Sequence, residues 1–158
     1  MTTSNATPDA PETPEPESTH TFETLWTERV GARTYVGRNE RGGEVRIGPQ
    51  ELAGAFTPGE LLAIALAGCT GMSADSPIAR RLGDDVAISV GATRIKDVPG
   101  NRYGQISLEI VVDAASLDEA GRAQLQNVAR RAVDSQCTVG RSIEPPGVHV
   151  DLAFSDEG

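Results

Sequence analysis

Two cysteines, Cys69 and Cys137, stand 68 positions apart in a chain that has no others. Two thiols are too few for a disulfide-stapled scaffold, and such a pair suits reversible redox chemistry better than a structural role. The reactive form of cysteine is the thiolate, so what matters at each sulfur is what raises or lowers its pKa. Cys137 opens C-T-V-G-R-S-I, a short helical stretch over residues 137–143. Unpaired N–H groups and the positive end of the helix dipole favour a thiolate there, and Arg141 one turn on adds positive charge. The opposing reading is a small buried apolar residue that precedes a helix. Cys69 lies in an Ala/Leu/Gly run, where desolvation raises a thiol pKa unless a charged or hydrogen-bonding group reaches it. Arg33 and Glu60 are the candidates for that group. Each also has a plain structural role, Arg33 as a solvated turn arginine and Glu60 as part of a helix cap. The histidines, His20 and His149, make no metal-ligand spacing with the cysteines, so a four-ligand zinc site is not expected.

The elements that must position these groups begin with residues 57–72, TPGELLAIALAGCTGM. Thr57 can cap a helix, Pro58 suits its first position, and Glu60 completes a capping box. The apolar run that follows predicts a helix buried on all sides, from Pro58 to near Leu82. Pro77 predicts a kink or restart around residues 73–76, and Gly83 a stop after Arg80 and Arg81. Before it, segments starting at Thr21, Arg33 and Glu44 alternate as three short antiparallel strands, and residues 48–56 form a loop. After it, residues 86–96 and 105–113 read as strands, the second with Ile106, Leu108 and Ile110 on one face. Ser116 and Glu119 form a second capping box, opening a helix from Leu117 to about Asp134 with Leu125, Val128, Ala129, Ala132 and Val133 along one face. The Cys137 helix follows, Pro145 and Pro146 end it, and residues 148–154 alternate as a last strand. The order is βββ-α-ββ-αα-β, an α+β domain with a central helix packed on an antiparallel sheet. Residues 1–19 are rich in Thr, Pro and Glu and read as a disordered acidic tail; residues 20–158 form one domain.

The totals narrow the function. A net charge of −9 and a pI near 4.7 disfavour a nucleic-acid partner or an anionic membrane surface. The longest apolar stretch falls short of a membrane span, and the first residues lack a basic, apolar leader. A cytoplasmic location is expected.

F-T-P-G-E-L-L-A-I-A-L-A-G-C-T over residues 56–70, taken with C-T-V-G-R-S-I over 137–143, resembles the OsmC/Ohr family of osmotically inducible and organic hydroperoxide resistance proteins. The resemblance runs over roughly residues 21–154. It implies an intertwined homodimer with two sites at the subunit interface. It also implies a peroxiredoxin-like thiol peroxidase that reduces hydroperoxides and is regenerated by a lipoyl-type or small dithiol, with no metal, flavin or haem as cofactor. Cys69 maps onto the peroxidatic cysteine and Cys137 onto the resolving one. Arg33, in Gly31-Ala32-Arg33, maps onto the catalytic arginine of the organic hydroperoxide branch, with Arg46 as the alternative. Two positions depart from the pattern. The family glutamate ten residues before the first cysteine falls on Gly59, while Glu60 lies about 100° around the helix from it. Leu66 stands where that branch has a bulky aromatic. Leu62, Ile64 and Leu66 are candidate walls for an organic substrate. Two other functions fit the same residues: a non-catalytic dimer that binds an apolar ligand, and a redox sensor worked by a Cys69–Cys137 disulfide.

Overall fold

A computed structural model describes residues 25–143 and 149–155. The tail over 1–19, the strand start at Thr21 and the Pro145–Pro146 stop lie outside the described residues. Nine elements follow in order: β1 (Leu25–Gly31), β2 (Thr34–Asn39), β3 (Glu44–Ile47), α1 (Pro58–Leu82), β4 (Ile88–Asp97), β5 (Arg102–Val112), α2 (Glu119–Gln136), α3 (Thr138–Ile143) and β6 (His149–Ser155). The order matches the α+β expectation.

The strands form two separate three-stranded sheets, β1-β2-β3 and β4-β5-β6. The first is the expected antiparallel meander. The second is mixed: β4 and β5 are antiparallel, but β5 and β6 run parallel. This corrects the expectation of an antiparallel sheet. The chain leaves the end of β5 through α2 and α3 and must come back along the sheet, and a helical crossover of that kind delivers a parallel strand.

The capping box at the start of α1 is complete. Glu60 N donates to Thr57 Oγ1 at 3.2 Å, and Glu60 Oε2 accepts from Thr57 N at 2.7 Å. The helix then runs unbroken to Leu82, past Pro77. No restart is needed because Ala74 and Ile78, on either side of the proline, are fully buried against Ile110, Leu125 and Ala129. That packing outweighs the lost backbone hydrogen bond. By length and composition α1 could cross a bilayer, contrary to the sequence expectation; its Leu, Ile, Ala and Cys residues keep the mean hydropathy high over a long window in which few residues are charged. It serves instead as the core helix of the domain. Nor is it buried all round, for Ile64 and Met72 are 48 % and 83 % exposed.

The inward face of β5, Ile106, Leu108, Ile110 and Val112, is buried as the alternation predicts. The core falls into two clusters along α1. Ala74 and Ile78 pack with Ile110, Val112, Leu125 and Ala129 at one end. Leu66 and Ala67 pack with Ile106, Leu108 and Cys137 at the other. The N-cap of α2 is Asp118, whose side chain accepts from Gly121 N at 2.7 Å, and not Ser116. The two residues are equally good caps by type, and the turn at Ala114–Leu117 carries the chain past Ser116 before the helix starts.

The meander is tied to α1 mainly through residues 48–57. Phe56 pairs with Ile47, with Phe56 N donating to Arg46 O and Gly48 N to Phe56 O, both at 2.9 Å. Beyond this link the first sheet makes no extensive contact with the helices or the second sheet among the described residues. Leu25, Trp26, Val30 and Tyr35 remain exposed on it.

Candidate active site: a paired thiol centre

Leu62, Leu66 and Cys69 lie about one turn apart on α1 and share one cluster with Ile106, Leu108 and Cys137. Cys137 arrives from the other side, at the junction of α2 and α3. Its N–H donates to Val133 O at 2.9 Å and closes α2, while its carbonyl accepts from Arg141 N at 3.0 Å and opens α3. The sulfur itself caps the short helix, accepting from Gly140 N at 3.3 Å. A Cβ on residue 140 would stand 3.2 Å from that sulfur, so glycine lets the turn close onto it. Both cysteines are free thiols, and Cys69 packs against the cluster that holds Cys137, near enough for each thiol to influence the other. The structure therefore brings together the two sulfurs that the sequence singled out.

The two sulfurs differ in environment. Cys137 is 3 % exposed, and Cys69 is partly open to solvent. Burial pushes the Cys137 thiol above its usual range, and the neighbouring Cys69 thiol adds to the shift; the Gly140 N–H and the nearby Thr70 hydroxyl act in the opposite direction. The helix-end effect expected from the sequence is thus present but is outweighed by desolvation. Six residues of α3 offer only a small dipole, whereas the apolar cluster encloses the sulfur on several sides. Cys137 rests as a neutral thiol, and Cys69 is the more exposed of the two cysteines.

Arg33 lies in the tight turn between β1 and β2, as the Gly31-Ala32-Arg33 pattern predicts. It is exposed and holds φ at 53°, a conformation that favours glycine or asparagine. It lines a cavity with Tyr35, Pro49, Thr57 and Pro58 that shares no residue with the thiol cluster. Arg46 is exposed on β3. Glu60 is held in its cap by Thr57, whose backbone and side-chain bonds keep the carboxyl below its usual pKa, with Arg94 adding a smaller pull. Within one chain, then, neither arginine nor Glu60 joins the thiol cluster.

The position of the family glutamate has a physical account. A Cβ at Gly59 would overlap Tyr103 Oη and stand 2.7 Å from Tyr103 Cζ and 2.9 Å from Arg94 Nη1. Arg94 Nη1 donates to that hydroxyl at 3.0 Å, and its guanidinium carbon lies 5.2 Å from the ring centroid. The Arg94–Tyr103 pair fills the space that a side chain at residue 59 would need. Leu66, at the position of the missing aromatic, is 1 % exposed and belongs to the core under the thiols. Ile64 points elsewhere, into a cavity of about 390 Å³ lined also by Phe56, Glu60, Val90 and Arg94. Of the three proposed apolar walls, only Leu62 and Leu66 adjoin the sulfurs.

The sequence pattern of the OsmC-like protein family matches residues 48–153, the span that carries both thiols. The chain belongs to this family. Uncharacterized proteins of Mycobacterium tuberculosis and Mycobacterium bovis are 45 % identical over 134 residues, covering 85 % of this chain and 97 % of theirs. The fold is similar to that of an osmotic stress induced and detoxification response protein from Psychrobacter arcticus. There the TM-score is 0.68 at 20 % identity, over 86 % of this chain and 98 % of the other. It is also similar to the organic hydroperoxide resistance protein OhrB of Bacillus subtilis, with a TM-score of 0.57 at 19 % identity over 85 % and 98 %.

Three residues at the site escaped sequence reasoning. Arg94 had a signal: it continues the inward row Ile88, Val90 and Ala92, where a charge is out of place. Thr70 had a similar one, a polar residue four after buried Leu66 and four before buried Ala74. Tyr103 had none, because nothing local marks which residue will cover Gly59.

Proposed function

We infer that this OsmC-like protein is a thiol-dependent peroxidase that reduces organic hydroperoxides. The Cys69 thiolate attacks the O–O bond, the alcohol leaves, and Cys69 becomes a sulfenic acid. Cys137 condenses with it to a disulfide and releases water. An external dithiol, of the lipoyl or small-molecule type, restores both thiols by exchange. The observation that carries this reading is the packing of a partly exposed Cys69 into the same cluster as a buried Cys137. A cysteine poised next to a resolving thiol is the arrangement that reversible oxidation needs.

The working unit in this reading is a homodimer. Its support is the meander that stands off from its own helices with Leu25, Trp26, Val30 and Tyr35 exposed, and an α1 face with Ile64 and Met72 uncovered. Arg33 then reaches Cys69 across the subunit interface, where it stabilises the thiolate and the departing oxygen. Its φ of 53° fits that role, since backbone strain in a non-glycine residue concentrates at functional sites. The expected setting is the reducing cytoplasm.

The Tyr103 ring over Gly59 supports a second reading, an OsmC-like dimer that binds an apolar ligand without turning it over, because the family glutamate has no place in this chain. Peroxide consumption separates the two. With cumene hydroperoxide and dihydrolipoamide, the wild-type protein consumes many equivalents per subunit, and Arg33→Ala slows it at least tenfold. A wild-type protein that consumes none supports the ligand-binding reading and refutes the peroxidase.

A further inference from the structure

Behind Cys137 lies a cavity of about 260 Å³ walled by Leu66, Leu108, Val133 and Leu152, with Thr70 on its lining. Thr70 is fully buried, and its Oγ1 has no hydrogen-bond partner of good geometry among the described residues. Buried hydroxyls are almost always bonded, and in a helix the easy solution is the carbonyl four residues back. Ser73 takes that solution, donating to Cys69 O at 2.7 Å. Thr70 does not. Its hydroxyl lies beside the Cys137 sulfur, near enough to favour the thiolate, without a formed bond to the resting thiol.

We propose that Thr70 is a positioning residue for the resolving step, its hydroxyl donating to the Cys137 sulfur as that sulfur becomes an anion and attacks Cys69. The proposal rests on the peroxidase reading and assigns a group to its second half-reaction. In that step the Cys137 thiol gives up its proton and the sulfur attacks the Cys69 sulfenic acid. An S–S bond forms, the Cys69 S–O bond breaks, and the departing hydroxide takes up a proton to leave as water. A neutral thiol in an apolar cluster resists that ionisation. Two donors are placed to offset it, the Gly140 N–H at 3.3 Å and the Thr70 hydroxyl. The ionisable groups facing Cys137 among the described residues are Cys69 on α1, Asp134 on α2 and Arg141 on α3. Asp134 and Arg141 are exposed and opposite in sign, and among the described side chains β5 and β6 present only Leu108 and Leu152 to the cavity. Thr70 is therefore the one buried side chain here that can donate to the thiolate without bringing a charge.

Thr70→Val keeps shape and removes the donor. After one equivalent of cumene hydroperoxide, followed by quenched-flow intact mass, the variant should form the Cys69 sulfenic acid and then close the disulfide at least tenfold more slowly than wild type. The pH profile of closure should move up by about one unit, the scale of a hydrogen bond to an ionised group. Thr70→Ser should restore both. Because the lost hydroxyl is unpartnered in the resting protein, Thr70→Val should melt no lower than wild type, which a hydrogen bond already formed in the resting protein would not predict. Should Thr70→Val not fold, Thr70→Ala serves for the same measurements. A second measurement needs no peroxide: in a Cys69→Ala background, the ultraviolet thiolate absorbance of Cys137 should titrate about one unit higher when Thr70 is Val. Unchanged closure rate and unchanged titration would overturn the assignment. If wild type consumes no peroxide, the peroxidase reading fails, and the titration alone supports or overturns the Thr70–Cys137 interaction.

Discussion

Gly59→Ala should destabilise the protein, although alanine is the better helix former. At an exposed helix position the change would stabilise by up to about 1 kcal/mol. Residue 59 lies in the first turn of α1, where that benefit is smaller, and the new methyl would overlap Tyr103 Oη and come within 2.9 Å of Arg94 Nη1. The ring must swing away. That breaks the 3.0 Å Arg94–Tyr103 hydrogen bond, a net loss of about 1 kcal/mol. It also disturbs the 5.2 Å cation–π contact, a further loss of about 0.5–1 kcal/mol. Tyr103 packs against the thiol cluster, so some apolar burial goes with it. The balance is a destabilisation of about 1 kcal/mol, or roughly 3–4 °C in melting temperature for a domain of this size. Differential scanning calorimetry on the reduced protein measures it, and a cycle with Tyr103→Ala isolates the contact: in that background Gly59→Ala should become neutral or stabilising. A Gly59→Ala protein more stable than wild type, with Tyr103 intact, would refute the reasoning. By the same overlap, Gly59→Glu should not raise peroxide turnover unless Tyr103 is removed with it.

Thr57→Ala removes the cap acceptor of α1 and should cost about 1 kcal/mol in urea unfolding, with no change in m-value. Burial raises the Cys137 pKa, so the folded state holds that proton more tightly than the unfolded chain. The contribution is intact below the ordinary thiol pKa of about 8.5 and is lost as pH rises above it. The stability lost between neutral and alkaline pH, under reducing conditions, should therefore be smaller in Cys137→Ala than in wild type. Sedimentation at micromolar concentration should give a dimer, and a charge in place of Val30 on the exposed meander should shift it toward monomer.

The residues show why some of this was legible in the sequence and some was not. Thr57, Pro58 and Glu60 act on their immediate neighbours, so the start of α1 could be read locally. Alternation fixed the buried face of β5 for the same reason. The direction of β6 depends on the crossover through α2 and α3, which no residue in the strand encodes. The α2 cap had two suitable residues, Ser116 and Asp118, and the turn after β5 chose between them. At the site, spacing suggested that both cysteines carry chemistry, and the family resemblance paired them. The helix-end effect expected at Cys137 is outweighed by burial because a helix end is visible in sequence and the enclosing cluster of Leu66, Ile106 and Leu108 is not. Arg33 is the reverse case: its turn was predicted, but one chain does not carry it to the sulfurs.

The most direct test of the central claim is intact-protein mass spectrometry on the two single-cysteine variants after one equivalent of cumene hydroperoxide. Cys137→Ser should gain one oxygen on Cys69, then a second, because no thiol traps the sulfenic acid. Cys69→Ser should leave Cys137 reduced, since that sulfur is buried and protonated. Oxygen on Cys137 in Cys69→Ser, with none on Cys69 in Cys137→Ser, would contradict the assignment of first attack to Cys69. Oxygen on neither would contradict the peroxidase itself.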